Sequence, residues 1–105
     1  MTEGRYSLRY IPRFEADFNE IVDYLVFKLH NPDAAKRLIN KIEISIAERL
    51  SCPLSFEPFQ SNRKRRNPYY RIYVDNFTIF YVVIDNVMEV RRILYRSRDI
   101  ANLIE

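Results

Sequence analysis

Residues 69–95 have the sequence YYRIYVDNFTIFYVVIDNVMEVRRILY, and this stretch decides the fold. Three runs rich in β-branched and aromatic residues, 69–74, 77–84 and 87–95, are separated by Asp75-Asn76 and Asp85-Asn86. That spacing predicts a meander of three strands joined by two tight hairpins. Because no glycine lies in either turn, we expect the asparagines to supply the positive φ that such turns require.

Two helices are predicted before this meander. Pro12 opens the first helix, which ends near His30, and Asn31-Pro32-Asp33 opens the second with an Asx cap and a proline at its first position. Cys52-Pro53 ends the second helix. Each helix carries one apolar stripe at helical spacing: Phe14, Phe18, Ile21, Val22, Leu25 and Leu29, then Ala35, Leu38, Ile39, Ile42, Ile46 and Leu50. The short link predicts an antiparallel hairpin with both stripes on the core.

The remaining segments complete an α+β fold. Residues 5–11 alternate as a short strand does, residues 53–68 predict a loop, and residues 98–104 predict a helical turn capped by Ser97. We expect a single domain over residues 1–105. Its N-terminal strand and antiparallel helical hairpin accompany a mainly antiparallel sheet that ends in the three-stranded meander. Because Arg91 and Arg92 are adjacent, one of them faces the core unless a bulge intervenes.

Gly4, His30 and Cys52 are each the only residue of their type in the chain. A single glycine excludes the glycine-rich loops that cradle nucleotides, and single cysteine and histidine residues exclude a disulfide or histidine-based zinc framework. We therefore expect no cofactor and no metal. No apolar run approaches the ~20 residues of a membrane span, and the start MTEGRYSLRY lacks the apolar region of a signal peptide. We expect a cytoplasmic protein with no membrane partner.

The net charge of +3 is unevenly distributed. Residues 60–105 carry nine Lys and Arg against five Asp and Glu, in two clusters. These are Arg63, Lys64, Arg65, Arg66 and Arg71, and then Arg91, Arg92, Arg96 and Arg98. Arginine binds phosphate bidentately, so this pattern beside several tyrosines indicates a nucleic-acid surface. Its alternative is a solvated turn and the wet face of a sheet.

The order of these elements and several local strings resemble the RelE/ParE superfamily of toxins from bacterial type II toxin-antitoxin modules. The strings are Tyr10-Ile11-Pro12, Asn31 to Ala35, Tyr70-Arg71, Asn76 to Tyr81, and Arg92 to Asp99. The resemblance covers nearly the whole chain. It implies a small basic protein that a cognate antitoxin holds inactive in a hetero-oligomer, by wrapping a segment around the toxin. Any part of the helical stripes left exposed is a candidate antitoxin groove.

The resemblance implies two different targets. ParE-like members poison DNA gyrase, whereas RelE-like members enter the ribosomal A site and cleave mRNA. A third alternative is a relic that binds an antitoxin but has lost its toxicity. The surface expected to contact nucleic acid or the target comprises Arg63, Lys64, Arg65, Arg66, Arg71, Arg92, Arg96 and Arg98. Arg71 has a plain alternative, which is to pair with a carboxylate such as Asp99.

Metal-independent cleavage of RNA by its 2′-OH needs a base, an acid and cations for the charge of the transition state. If the protein is a nuclease, we expect Arg71 and Arg98 to be the electrostatic clamps and Tyr95 to handle a proton. Further candidates are Tyr70 or Tyr73 for the proton and Glu57 or Glu89 for the base.

Two departures from the nuclease branch favour the ParE-like alternative. Thr78 stands where that branch usually has an arginine, and residues 100–105 contain neither the tyrosine nor the histidine that it commonly has near the C-terminus. His30, at a helix junction, is predicted to be a helix-end residue and not a catalyst.

Overall fold

The computed structural model describes residues 5–59 and 66–96 and confirms the α+β class. Its elements are β1 (Ser7–Tyr10), α1 (Pro12–Asp23), α2 (Pro32–Leu50), β2 (Tyr70–Val74), β3 (Phe77–Ile84) and β4 (Val87–Tyr95). The strands form one sheet in the order β1-β4-β3-β2, in which β1 is parallel to β4 and the other pairs are antiparallel. The predicted turn at 98–104 lies outside the described residues, as do Arg63, Lys64, Arg65 and Arg98.

The helical hairpin forms as predicted, except at the end of its first helix. After α1 the chain makes a π-helical turn, Tyr24–Lys28, and His30 then reverses the chain with a φ of 53°. A π turn holds one residue more than an α turn, so the side chains after it are rotated about the axis. Leu29, predicted to face the core, is therefore 52% exposed. Asn31 caps α2 as expected, because its side chain accepts the N–H of Ala34 at 3.1 Å.

Both predicted hairpins of the meander are present, but the asparagines do not carry the positive φ. Asp75 and Asp85 do, with φ values of 51° and 56°. Aspartate tolerates this region because its short side chain bonds locally to the backbone. In β4, Phe80 pairs with Arg92 and Tyr81 with Val90, so Arg91 is the extra residue of a β-bulge. The bulge resolves how two adjacent arginines fit into this strand.

Apolar residues are buried on both faces of the sheet. On one face, α1 and α2 contribute residues such as Phe14 and Ile46 to a cluster that includes Ile79 and Tyr81 of β3. The opposite face holds a second cluster, built on Phe80 and Val82 and joined by other buried residues. The helical hairpin therefore covers one face, as predicted, but the other face is not a uniformly polar surface. No helix within the described ranges is long and apolar enough to cross a membrane.

Candidate functional site: an arginine–aromatic cluster on the edge strand

Strand β2 is an edge of the sheet, and its side chains alternate between two environments. Tyr70, Ile72 and Val74 are buried in the cluster beneath the helices. Because successive side chains of a strand point to opposite faces, Arg71 and Tyr73 lie on the face away from the helices. At this edge of the sheet Arg71 is half-buried and Tyr73 is exposed.

These two residues belong to what we term the arginine–aromatic cluster, which comprises Phe59, Arg71, Tyr73 and Arg96. The guanidinium carbon of Arg71 lies 5.1 Å from the ring centroid of Phe59 and 5.9 Å from that of Tyr73. Arg96 lies over the same Tyr73 ring at 4.5 Å. Two cations therefore flank the ring of Tyr73, and 52% of this residue is still exposed to solvent.

Arg96 is fixed by the β2–β3 turn. Its backbone N–H donates to the carbonyl of Asn76 at 2.8 Å, and its Nη1 donates to the carbonyl of Asp75 at 3.2 Å. Within the part of the chain that the structure describes, no carboxylate lies within 4.0 Å of the guanidinium of Arg71 or Arg96. Asp99, the carboxylate named as an alternative partner of Arg71, lies outside the described residues. The exposed ring of Tyr73 offers a stacking surface beside the two guanidinium groups.

The sequence predicts Arg92 on the target-binding surface, but the structure leaves it half-buried against α1. Its side chain is 12% exposed, and its Nε donates to Asp17 of α1 at 2.7 Å. The same carboxylate accepts the backbone N–H of Ile93 at 3.1 Å. Because β1 ends at Tyr10, the outer edge of β4 has no strand partner beyond the residue that pairs with Tyr10. Asp17 of α1 contacts β4 there. Arg92 therefore pairs with α1 and lies outside the arginine–aromatic cluster.

Glu89, a candidate base, is buried between two arginines. Arg9 and Arg91 each approach its carboxylate at 2.7 Å. Burial raises the pKa of Glu89, but the hydrogen bonds and charges of Arg91 and Arg9 outweigh it, so the pKa lies below its ordinary value. A carboxylate held in this way accepts a proton poorly.

Most of the chain matches one known protein family. The family described as "ParE toxin of type II toxin-antitoxin system, parDE" matches residues 8–100. The chain belongs to the ParE toxin family. It is thus a toxin of a type II toxin-antitoxin system, and the resemblance to the RelE/ParE superfamily is confirmed. A comparison with curated protein sequences found no match.

Solved structures of toxins share the fold of this ParE-family chain. A structure of the chromosomal ParDE toxin-antitoxin system of P. aeruginosa superposes with a TM-score of 0.70 at 16% identity, over 89% of this chain and 98% of that one. The RelB-RelE antitoxin-toxin complex of Methanococcus jannaschii gives 0.55 at 21% identity, over 92% and 99%. YafQ from E. coli strain BL21(DE3) gives 0.56 at 17% identity, over 88% and 94%. At such identities the likeness shows the fold.

The structure does not bring the expected nuclease residues of this ParE-family toxin together. Tyr95 pairs across the sheet with Phe77, and their ring centroids are 4.8 Å apart on the helix side, so Tyr95 and Arg71 lie on opposite faces. Tyr70 is also on the helix side, where its ring stacks on Tyr81 at 5.4 Å. Arg98, the third expected residue, lies outside the described residues.

Thr78 and His30 have no place in the cluster. Thr78 is completely buried in β3, and its hydroxyl has no hydrogen-bond partner among the residues that the structure describes. His30 lies in the link between the helices. Glu57 and Arg66 are exposed. Within the described ranges, no group of three or more His, Cys, Asp or Glu side chains is arranged to hold a metal ion.

A groove of about 210 Å³ lies on the helical side of this ParE-family toxin. The stacked rings of Tyr10, Phe14 and Phe18 line it, with centroids 5.2 and 5.8 Å apart. Glu15 and Glu43 also line it. Burial, and then the charge of Glu43, raises the pKa of Tyr10. Of the predicted apolar stripes, the groove includes the half-buried Phe18 and the buried Phe14 and Ile42, whereas the exposed Leu29 does not line it.

Proposed function

We propose that this toxin inhibits DNA gyrase, that it contacts its target through the arginine–aromatic cluster, and that it does not itself cleave mRNA. The observation that supports this most directly is the composition of the cluster. Arg71 and Arg96 present positive charge beside aromatic rings. The buried carboxylates of Glu89 and Asp17 are already paired with other arginines. Such a surface is suited to recognition of an anionic partner.

Among the described residues, the cluster has no group suited to accept a proton. An arginine does not serve as a base, and a tyrosine with a pKa of about 10 is a poor base at neutral pH. Tyr95 lies on the other face of the sheet, and Glu89 is held by Arg9 and Arg91. Thr78 supports the same conclusion. It stands where the nuclease branch usually has an arginine, and in this chain that position is a buried threonine.

We also propose that a cognate antitoxin is the second partner of this chain. Two of the similar structures are described as complexes of a toxin with its antitoxin. The groove lined by Tyr10, Phe14 and Phe18 is apolar and partly exposed, which suits an amphipathic segment. We expect the antitoxin to cover this groove.

The two target classes are separated by assays on the same purified toxin. We expect it to inhibit the supercoiling of relaxed plasmid by purified gyrase, with no cuts positioned by codon in translated mRNA when primer extension follows its induction in cells. Codon-positioned cuts together with normal supercoiling would overturn the proposal. Inactivity in both assays with harmless expression would establish the relic alternative.

A matched pair of variants tests the contact surface. Arg71→Ala removes an arginine of the cluster, whereas Arg37→Ala removes an exposed arginine from α2. We expect only Arg71→Ala to weaken supercoiling inhibition. Equal losses in the two variants would show that general charge acts and not the cluster.

A further inference from the structure

Arg49, in the last turn of α2, joins three separate segments of the chain. Its Nη1 donates to the backbone carbonyl of Arg71 and to the hydroxyl of Tyr81, both at 2.9 Å. The Tyr81 hydroxyl in turn donates to the carbonyl of Pro53 at 2.7 Å. The guanidinium carbon of Arg49 lies 3.4 Å from the ring centroid of Phe56. One side chain thus contacts the edge strand, the central strand β3 and the loop that follows α2.

The carbonyl that Arg49 binds lies on strand β2, which has a neighbouring strand on one side only. Backbone groups on the outer side of an edge strand have no strand partner. Here two of them are satisfied by other means. Arg49 satisfies the carbonyl of Arg71, and the N–H of Phe59 donates to the carbonyl of Tyr69 at 2.7 Å. The outer side of β2 is therefore held by α2 and by the loop that follows it.

Arg49 helps to position both residues of the contact between Arg71 and Phe59. Arg49 holds the backbone of Arg71 directly. Through Phe56 and the Tyr81–Pro53 hydrogen bond, it also holds the loop that carries Phe59. These two connections act on the separation of 5.1 Å between the Arg71 guanidinium and the Phe59 ring, together with the Phe59–Tyr69 hydrogen bond and the packing of Phe59 on Phe80.

We propose that Arg49 is a positioning residue for the arginine–aromatic cluster and acts through Arg71. Its own partners are neutral, so replacing it leaves no buried counter-charge without a partner. The fold therefore tolerates the replacement, while the cluster loses its geometry. The consequence for activity rests on the proposed contact between the cluster and gyrase.

A double-mutant cycle tests whether Arg49 acts through Arg71. The variants are Arg49→Met, Arg71→Ala and their combination, measured as the concentration of purified toxin that half-inhibits gyrase supercoiling. We expect each single variant to be about tenfold weaker, and the double variant to be no weaker than Arg71→Ala, because residues that act as one unit are not additive. Arg37→Met, on the same helix, is the matched control and should inhibit as the wild type does.

Independent losses that multiply in the double variant would overturn the inference. So would an Arg49→Met toxin that inhibits as strongly as the wild type. Arg49→Lys keeps the charge and the donors but not the planar group over Phe56, so we expect it to restore part of the inhibition. A Lys variant as weak as Arg49→Met would show that the planar guanidinium is essential to the positioning.

A measurement without gyrase separates this inference from the proposed function. Because the Arg71 guanidinium lies near the rings of Phe59 and Tyr73, we expect their ring currents to displace its Nε–H resonance in the NMR spectrum. We expect Arg49→Met to move this resonance toward its random-coil position while the methyl resonances of Ile79 and Val90 stay in place. An unchanged Arg71 resonance would overturn the positioning role. If Arg71→Ala leaves gyrase inhibition intact, the proposed contact is wrong, and the NMR comparison alone decides the role of Arg49.

Discussion

The arginines on the two sides of the sheet have different partners, carboxylates on one side and aromatic rings on the other. On the β4 side, Arg9 and Arg91 share the buried Glu89, and Arg92 lies on the buried Asp17. On the β2 side, Arg71 and Arg96 lie against aromatic rings. A buried carboxylate compensates the charge of an arginine beside it, and removing either partner destabilises the fold. A neutral ring leaves the charge of the arginine uncompensated, so that it can attract a partner. The partners of each arginine, and not the number of arginines, locate the candidate surface.

The largest effect on stability should come from Asp17. Replacing Asp17 with Ala removes the carboxylate that Arg92 and the N–H of Ile93 both contact. Removal of one partner of a buried ion pair costs about 3 kcal/mol, and we expect urea denaturation to show a loss of that size in the free energy of unfolding.

Asp17→Asn is the matched control, because an asparagine oxygen still accepts a hydrogen bond from Ile93. We expect it to lose less stability than Asp17→Ala. If Asp17→Ala unfolds at the same urea concentration as the wild type, the β4 arginines do not stabilise the fold and the contrast between the two sides fails.

Glu89 should have the next largest effect, and one that depends on pH. Glu89→Gln removes the charge that Arg9 and Arg91 share, and hydrogen bonds to charged groups are worth about 2 kcal/mol. The pKa of Glu89 is lowered in the folded protein from an ordinary value of 4.5. Its carboxylate therefore contributes stability above pH 4.5, and that contribution is lost as the pH falls through the folded pKa.

Urea denaturation at pH 7 and at successively lower pH measures this contribution. The difference in stability between the wild type and Glu89→Gln should be full at pH 7 and should shrink on acidification below pH 4.5. A difference that stays constant with pH would contradict the charged pairing of Glu89.

Thr78 should have a smaller effect of the opposite sign. Within the described part of the chain its buried hydroxyl has no hydrogen-bond partner, and valine has nearly the same shape. Removing an unsatisfied buried hydroxyl is expected to stabilise the protein by about 1 kcal/mol. Thermal unfolding of Thr78→Val checks the sign. A marked destabilisation would show that the hydroxyl is in fact bound.

Much of the fold was predictable because it depends on local signals. The alternation in residues 69–95, the Asn31 cap and the proline at the start of each helix all act within a few residues. The π turn at Tyr24–Lys28 was not predictable, because the apolar spacing continues through it as though the helix were regular. The choice of aspartate for the positive φ was also missed, since the two residues of each turn tolerate it almost equally.

The candidate site was predictable only in part. Arg71 and Arg96 could be proposed from charge and from nearby tyrosines. The difference between them and Arg92 depends on Asp17, which lies 75 positions away in the sequence. Phe59 and Arg49 were missed altogether, because they approach Arg71 only in the folded chain. Tyr95 was misplaced relative to Arg71, because its side of the sheet depends on the strand register and on the bulge at Arg91.

The measurement that tests the central claim most directly is gyrase supercoiling inhibition by Arg71→Ala, combined with its urea denaturation curve. Arg71 has no ion pair among the described residues and contacts two rings near the surface, so we expect the variant's free energy of unfolding to fall by no more than about 1 kcal/mol. Inhibition should weaken about tenfold, equivalent to about 1.4 kcal/mol of target binding. An Arg71→Ala toxin that folds normally and inhibits gyrase as strongly as the wild type would contradict the account.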